Sequence, residues 1–294
     1  MEAFFRTHNY LVEHTDAPVR RLLMDEVDWN DRMIGIKGSR GVGKTTFLLQ
    51  YAKENFELGN KKCLYVNMNN FYFQCRGIAD FAGEFYRNGG RVLLIDQVFK
   101  EPNWASELRK CYDLYPNLHI VFTGSSVLDI YRGESDLSRR ALLYFMYGLS
   151  FREYLSFFHG IESPVYTLDD ILNNRAVLNA VEHPLPLFRD YMSRGYYPFS
   201  VQGDFPMRME QVVTQTIEVD IPQYADMKAS TARKLKQLLA ILSHLAPYKP
   251  IADSLASEIG ASKNSIPDYL AYLEKSGMIG LLRDDTSGIR NLGK

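Results

Sequence analysis

Through the first half of the chain, short apolar runs alternate with segments whose apolar positions recur every three to four residues. Met33–Lys37, Cys63–Val66, Val92–Ile95, Ile120–Phe122 and Leu142–Tyr147 are largely continuous apolar runs. Strands buried on both faces of a parallel sheet read this way, whereas half-exposed strands alternate. Between them, Lys44–Phe56 puts Phe47, Leu48, Tyr51 and Ala52 on one helical face, and Trp104–Tyr115 does the same with Trp104, Leu108, Cys111 and Tyr112. Phe151–Gly160 predicts a further helix. The pattern predicts an α/β fold, a parallel sheet covered by helices on both faces, over residues 1–155. Residues 156–230 lean helical but are broken by Pro184, Pro186, Pro198 and Pro206. In 231–294, Ala232–Leu245 is strongly amphipathic, and Ile251–Ile259 and Ser265–Ser276 follow around a Gly260-Ala261-Ser262 turn. Met278–Arg283 then runs into a turn-like Asp-Asp-Thr-Ser-Gly stretch. Helix, helix, glycine turn, helix and ribbon predict a winged helix-turn-helix.

Composition narrows the classes. A chain of 294 residues with 46% apolar and 23% charged positions has material for two folded domains. Its net charge of −1 gives no overall basic field, so any nucleic-acid contact must be local. Cys63, Cys75 and Cys111 lack metal-ligand spacing and read as reduced thiols of a cytoplasmic protein. The six histidines form no HExxH pair. Neither a signal peptide nor an 18-residue apolar run is present, so no membrane role is expected.

One motif carries chemistry. Gly38-Ser39-Arg40-Gly41-Val42-Gly43-Lys44-Thr45, followed by Thr46, fits GxxxxGK[ST] between an apolar strand and a helix. Glycines let successive N–H groups curl inward onto phosphate oxygens, and the helix N-terminus adds its positive dipole end. Lys44 is expected to reach the β- and γ-phosphates and Thr45 to ligate Mg²⁺. Asp96, closing the run Val92-Leu-Leu-Ile, supplies a second Mg²⁺ carboxylate at a strand's carboxyl end. No NKxD tetrad is present, which favours ATP over GTP. Phe71-Tyr72-Phe73 reads as packing rather than a base-stacking platform.

Three stretches, LLIDQVFKEPNW, IVFTGSS and LSRRALLYFMYGLSFREYL, resemble the prokaryotic AAA-type P-loop ATPases that pair a RecA-like core with a winged helix. The resemblance covers about residues 30–283. It implies γ-phosphate sensing by Thr123 or Ser125, and an arginine finger or sensor at Arg140, acting in cis or in trans. It also implies a catalytic glutamate directly after Asp96, where this chain has Gln97. In that family a C-terminal domain of unknown function follows about where this chain ends, so the resemblance implies a truncated chain.

Two functions follow. The first is a Mg·ATP-binding ATPase whose nucleotide state controls the winged helix, with hydrolysis to ADP slowed by Gln97. The second is a non-hydrolysing, nucleotide-gated switch or a DNA- or protein-binding module. Residues 228–283 carry eight cations against four anions, which leaves both DNA and protein open as partners of the winged helix. Monomer and homo-oligomer also stay open. A small-molecule kinase is disfavoured, because no acceptor-binding motif appears.

Overall fold

The computed structural model describes residues 1–124, 137, 139–177, 181, 183–222, 229–247 and 249–282. Among them, one compact unit spans Met1 to Phe205 and a second begins at Pro206. The first unit is built on five parallel strands, and the elements follow in chain order. Helix α1 is Glu2–His14, β1 is Met33–Lys37, α2 is Lys44–Asn55 and β2 is Cys63–Asn67. Then come α3 Ile78–Arg87, β3 Val92–Asp96, α4 Trp104–Leu114, β4 His119–Gly124, β5 Leu142–Phe145 and α5 Phe151–His159.

The strand order is β2-β3-β4-β1-β5. In register, Ile36 lies beside Thr123, Lys37 beside Phe145, and Asn67 beside Asp96. From β1 the chain crosses to β2 on one side, and from β4 it proceeds to β5 on the other. The carboxyl ends of β1 and β4 therefore flank a topological switch point, where open α/β sheets bind ligands. All five expected strands are present, each within two residues of its expected ends. Four of them are readable because Ile34, Ile36, Leu64, Leu93, Leu94, Ile120 and Phe122 are all almost fully buried, so β1–β4 must be apolar on both faces; the edge strand β5 is only partly covered.

Helices α1 and α3 were not among the expected elements. Helix α1 lies along β2, an edge strand of the sheet, where His8 Nδ1 accepts the Tyr65 N–H at 3.0 Å. Helix α3 carries Phe81, Ala82 and Phe85 into the main core. Tyr72 and Phe73 join Phe4 and Phe81 in a set of edge-to-face rings, which bears out packing for these two. Phe71, by contrast, is 79% exposed.

The second unit contains α6 Phe205–Gln215 from Pro206 onward, α7 Ala229–Leu245, α8 Ala252–Ile259 and α9 Ile266–Lys275. Leu235, Leu238, Leu255, Ile266 and Leu273 form its core. Gly260 ends α8 in the left-handed conformation at φ 60°, as a glycine C-cap does. Residues 278–282 form no strand, and the rest of the expected ribbon lies outside the described residues. From Ala229 onward, what is described is a three-helix unit of α7, α8 and α9. Three of its cations are engaged internally: Lys234 on the Gly260 carbonyl, Lys236 on Glu218 and Lys263 on Asp253.

Candidate functional site

Helix α2 starts directly from the glycine-rich loop, with no side chain capping its first amides. Amides at a helix start are the groups on which anions bind. Gly41 (φ 81°) and Gly43 (φ 100°) take backbone conformations that side chains rarely adopt. A Cβ on Gly41 would also lie 2.5 Å from a ring carbon of Phe199. The loop is thus specified twice, by torsion and by space. Lys44 is buried, and its Nζ donates to the Gly38 and Ser39 carbonyls at 2.7 Å each. Thr45 and Thr46 stay exposed on the first turn.

Asp96 closes β3 and is 2% exposed. Its Oδ2 accepts from Thr45 Oγ1 at 2.8 Å, from the Tyr65 hydroxyl at 2.9 Å and from Asn67 Nδ2 at 3.1 Å. Its Oδ1 accepts from the Thr123 hydroxyl. A buried carboxylate needs such donors, since an unpaired charge there would be costly. Burial and the neighbouring Asp96 push the Tyr65 phenol well above its ordinary range. Thr123 Oγ1 in turn accepts the Gln97 N–H at 3.2 Å. Gln97 itself sits at φ 58°, an unusual conformation for a non-glycine residue, of the kind found at functional sites.

Lys44, Thr45, Asp96, Gln97 and Thr123 are therefore brought to one place, with the Gly38–Gly43 loop around it. Arg140 is not. It precedes β5 by two residues and is level with Arg32, about six strand residues or roughly 20 Å from Gly38. Its guanidinium pairs with Asp113 at 3.2 Å at the far end of α4. A contact from Arg140 to the same chain's loop, the cis reading, is not formed. Ser125 lies outside the described residues. The two acids that follow position 97 in sequence have other places. Glu107 accepts the Ala79 N–H at 2.9 Å, capping α3, and pairs with Lys110. Glu101 lines a cavity of about 530 Å³ beyond the ends of β2 and β3.

Sequence reasoning missed Arg21, Glu153, Tyr65 and Asn67. Arg21 is 8% exposed and spends its donors on Glu153 Oε1 (2.9 Å), the Val42 carbonyl (2.8 Å) and the Tyr147 and Gly148 carbonyls (2.7 and 2.9 Å). Glu153 completes a capping box with Ser150 at the start of α5 and also accepts the Leu22 N–H. Burial alone would raise the Glu153 carboxyl. The Arg21 guanidinium, with the Ser150 and Leu22 N–H groups, holds it below the ordinary carboxylate range. Ser150-x-x-Glu153 is a readable capping signature; Arg21 has no local signature at all.

The donor set at Asp96 is hard oxygen (a carboxylate and the Thr45 and Thr123 hydroxyls), the chemistry that suits Mg²⁺. Among the described residues no cluster of three His, Cys, Asp or Glu side chains could hold a different metal. No helix among them is long and apolar enough to cross a membrane.

Residues 185–291 match the family model of a domain of unknown function. Such a domain was expected only beyond the chain's end, and that expectation is corrected: the match covers the later part of the helical region and the three-helix unit. The chain is 27% identical, over 284 residues, to an uncharacterized protein of Methanocaldococcus jannaschii, covering 90% of this chain. It spans only 60% of that relative's length. Among solved structures it is similar to a Walker-type ATPase of Pyrococcus abyssi, with 14% identity, a TM-score of 0.47 and 89% of each chain covered. It is also similar to Cdc6p from Pyrobaculum aerophilum, with 13% identity, a TM-score of 0.37 and 93% and 91% covered. Residues 30–155, the stretch that holds the five-stranded parallel sheet and its glycine-rich loop, match the family model of an AAA domain.

Proposed function

We propose that this chain binds Mg·ATP at the Gly38–Thr46 loop and that its nucleotide state controls the position of the C-terminal three-helix unit. The observation that carries the reading is the meeting of Thr45 with Asp96 at 2.8 Å, at the end of the strand beyond β4. A helix-start hydroxyl and a buried strand-end carboxylate so placed would hold Mg²⁺. The cation's contribution, when bound, is to neutralise charge on the phosphate oxygens.

The remaining work falls to the chain. Lys44, now satisfied by two loop carbonyls, would exchange them for β- and γ-phosphate oxygens. The loop amides would hold the phosphates in line for attack by water. Gln97 stands where a water-activating base belongs, and an amide is a far weaker proton acceptor than a carboxylate. The expected state is therefore tight ATP binding with slow release of phosphate. In the alternative reading turnover is negligible and the chain is a nucleotide-gated switch; the neutral side chain at position 97 is what favours it. An arginine supplied in trans by a second copy remains open to Arg140. The winged-helix reading of residues 231–294 and a DNA or protein partner there are part of the same proposal.

The test is Lys44→Ala, followed by nucleotide titration. The variant removes the one lysine that the motif aims at the phosphates. A loss of tenfold or more in ATP affinity, about 1.4 kcal/mol, is expected. Unchanged affinity would overturn the assignment.

A further inference from the structure

We infer that Arg21 is a positioning residue for the phosphate loop, acting through the Val42 carbonyl. The inference rests on the nucleotide-binding reading above and adds a residue that no motif contains. Its starting point is a buried fork: one guanidinium bonded to Val42 in the loop, to Tyr147 and Gly148 after β5, and to Glu153 in α5. Three stretches of chain distant in sequence, around residues 21, 42 and 147–153, are tied at one group.

The bond to Val42 has a directional consequence. A peptide unit is planar and trans, so its C=O and the following N–H point opposite ways. Arg21 draws the Val42 oxygen towards itself at 2.8 Å, and this turns the Gly43 N–H away from Arg21. Gly43 precedes Lys44 and lies at φ 100°. Its N–H is thus one of the loop amides at the β-phosphate end of the nest. Without Arg21 the Val42–Gly43 peptide is free to flip, since glycine tolerates either orientation. A flipped peptide would present a carbonyl oxygen to an anion. Glu153 and the two carbonyls beyond β5 hold the guanidinium in the one orientation that reaches Val42. Arginine suits the task because its fork serves several acceptors at fixed angles, which a lysine ammonium cannot do.

The discriminating experiment compares ADP with AMP on the full chain. Affinities are measured by competition against a fluorescent ADP analogue for the wild type, Arg21→Lys and Glu153→Gln, with thermal unfolding recorded for each. Arg21→Lys keeps the buried charge and loses the fork. Its ADP affinity is expected to fall about 10- to 100-fold, the range for losing a hydrogen bond to a charged group. AMP, which has no β-phosphate, is expected to stay within about threefold. Glu153→Gln keeps an acceptor for Arg21 Nε and should show a smaller loss with the same preference for ADP. ADP affinity unchanged in a folded Arg21→Lys overturns the inference. So does an equal fall for ADP and AMP in both variants, which marks general damage to the site. If the wild type itself binds no ADP, the nucleotide-binding reading fails and this inference falls with it.

Discussion

Acid should destabilise the core domain through one histidine at the sheet's edge. His8 is 5% exposed, and its Nδ1 accepts the Tyr65 N–H at 3.0 Å. Burial lowers its pKa from 6.5 to about 4. Protonating Nδ1 would also turn an acceptor into a donor facing another donor. In the folded protein His8 therefore stays neutral down to about pH 4, while in the unfolded chain it takes up a proton near pH 6.5. Between those values the unfolded state binds more protons, so stability rises with pH across the window and falls as acid is added. A shift of this size corresponds to at most about 3 kcal/mol, a large part of the 5–15 kcal/mol typical of a domain. The assay is urea unfolding at pH 7.5, 6.5, 5.5 and 4.5 for the wild type and His8→Asn. The asparagine keeps an acceptor oxygen near the Nδ1 position but does not titrate. Above pH 6.5 the two curves should run parallel. Below it the wild type should lose stability faster, by up to about 1.4 kcal/mol per pH unit. Parallel loss in both proteins through pH 5 would show that other groups carry the acid response and refute the reasoning.

Two further outcomes test the proposed activity. Gln97→Glu should raise phosphate release at saturating Mg·ATP by roughly 10²–10⁴-fold, the usual contribution of a general base; an unchanged rate with ATP still bound would show that water is not activated from this position. If nucleotide governs the C-terminal unit, limited proteolysis between residues 200 and 234 should change on adding Mg·ATP, and identical fragment patterns would leave two independent modules.

The parts of the molecule legible in its sequence are those whose physics is local. Strands β1–β4 could be read because burial on both faces demands an unbroken apolar run, and Ile34, Leu93 and Phe122 supply it. The phosphate loop could be read because its torsions at residues 41 and 43 require glycine at a fixed spacing from Lys44. Helix α3 escaped because it is short and carries Gly83 and three aromatic residues, which lower its helix propensity. Helix α1 escaped because its buried face includes a polar residue, His8 beside Val12, which breaks the apolar period. Arg21 could not be found by any local pattern, since its acceptors come from residues 42, 147, 148 and 153. Asn67 and Tyr65 reach Asp96 only because β2 lies beside β3 in register. For Arg140 the resemblance implied a γ-phosphate contact in cis or in trans; parallel pairing puts the start of β5 at the end of the sheet remote from the same chain's loop, which leaves the trans reading.

Strand β4, set between the strand that feeds the loop and the strand that ends in Asp96, gives the site a form of accounting by protons. The Thr123 hydroxyl has one hydrogen, and it is given to Asp96, while its oxygen receives the Gln97 N–H. Thr45 likewise has one hydrogen, also given to Asp96. Neither hydroxyl can donate to an arriving anion without withdrawing from the carboxylate. An anion that recruits them would leave Asp96 short of donors, and so more receptive to a cation. A cation on Asp96 would, in turn, free both hydroxyls to donate elsewhere. Anion and cation would then favour each other's arrival through two hydrogens that can be in only one place at a time, with no movement of the backbone required.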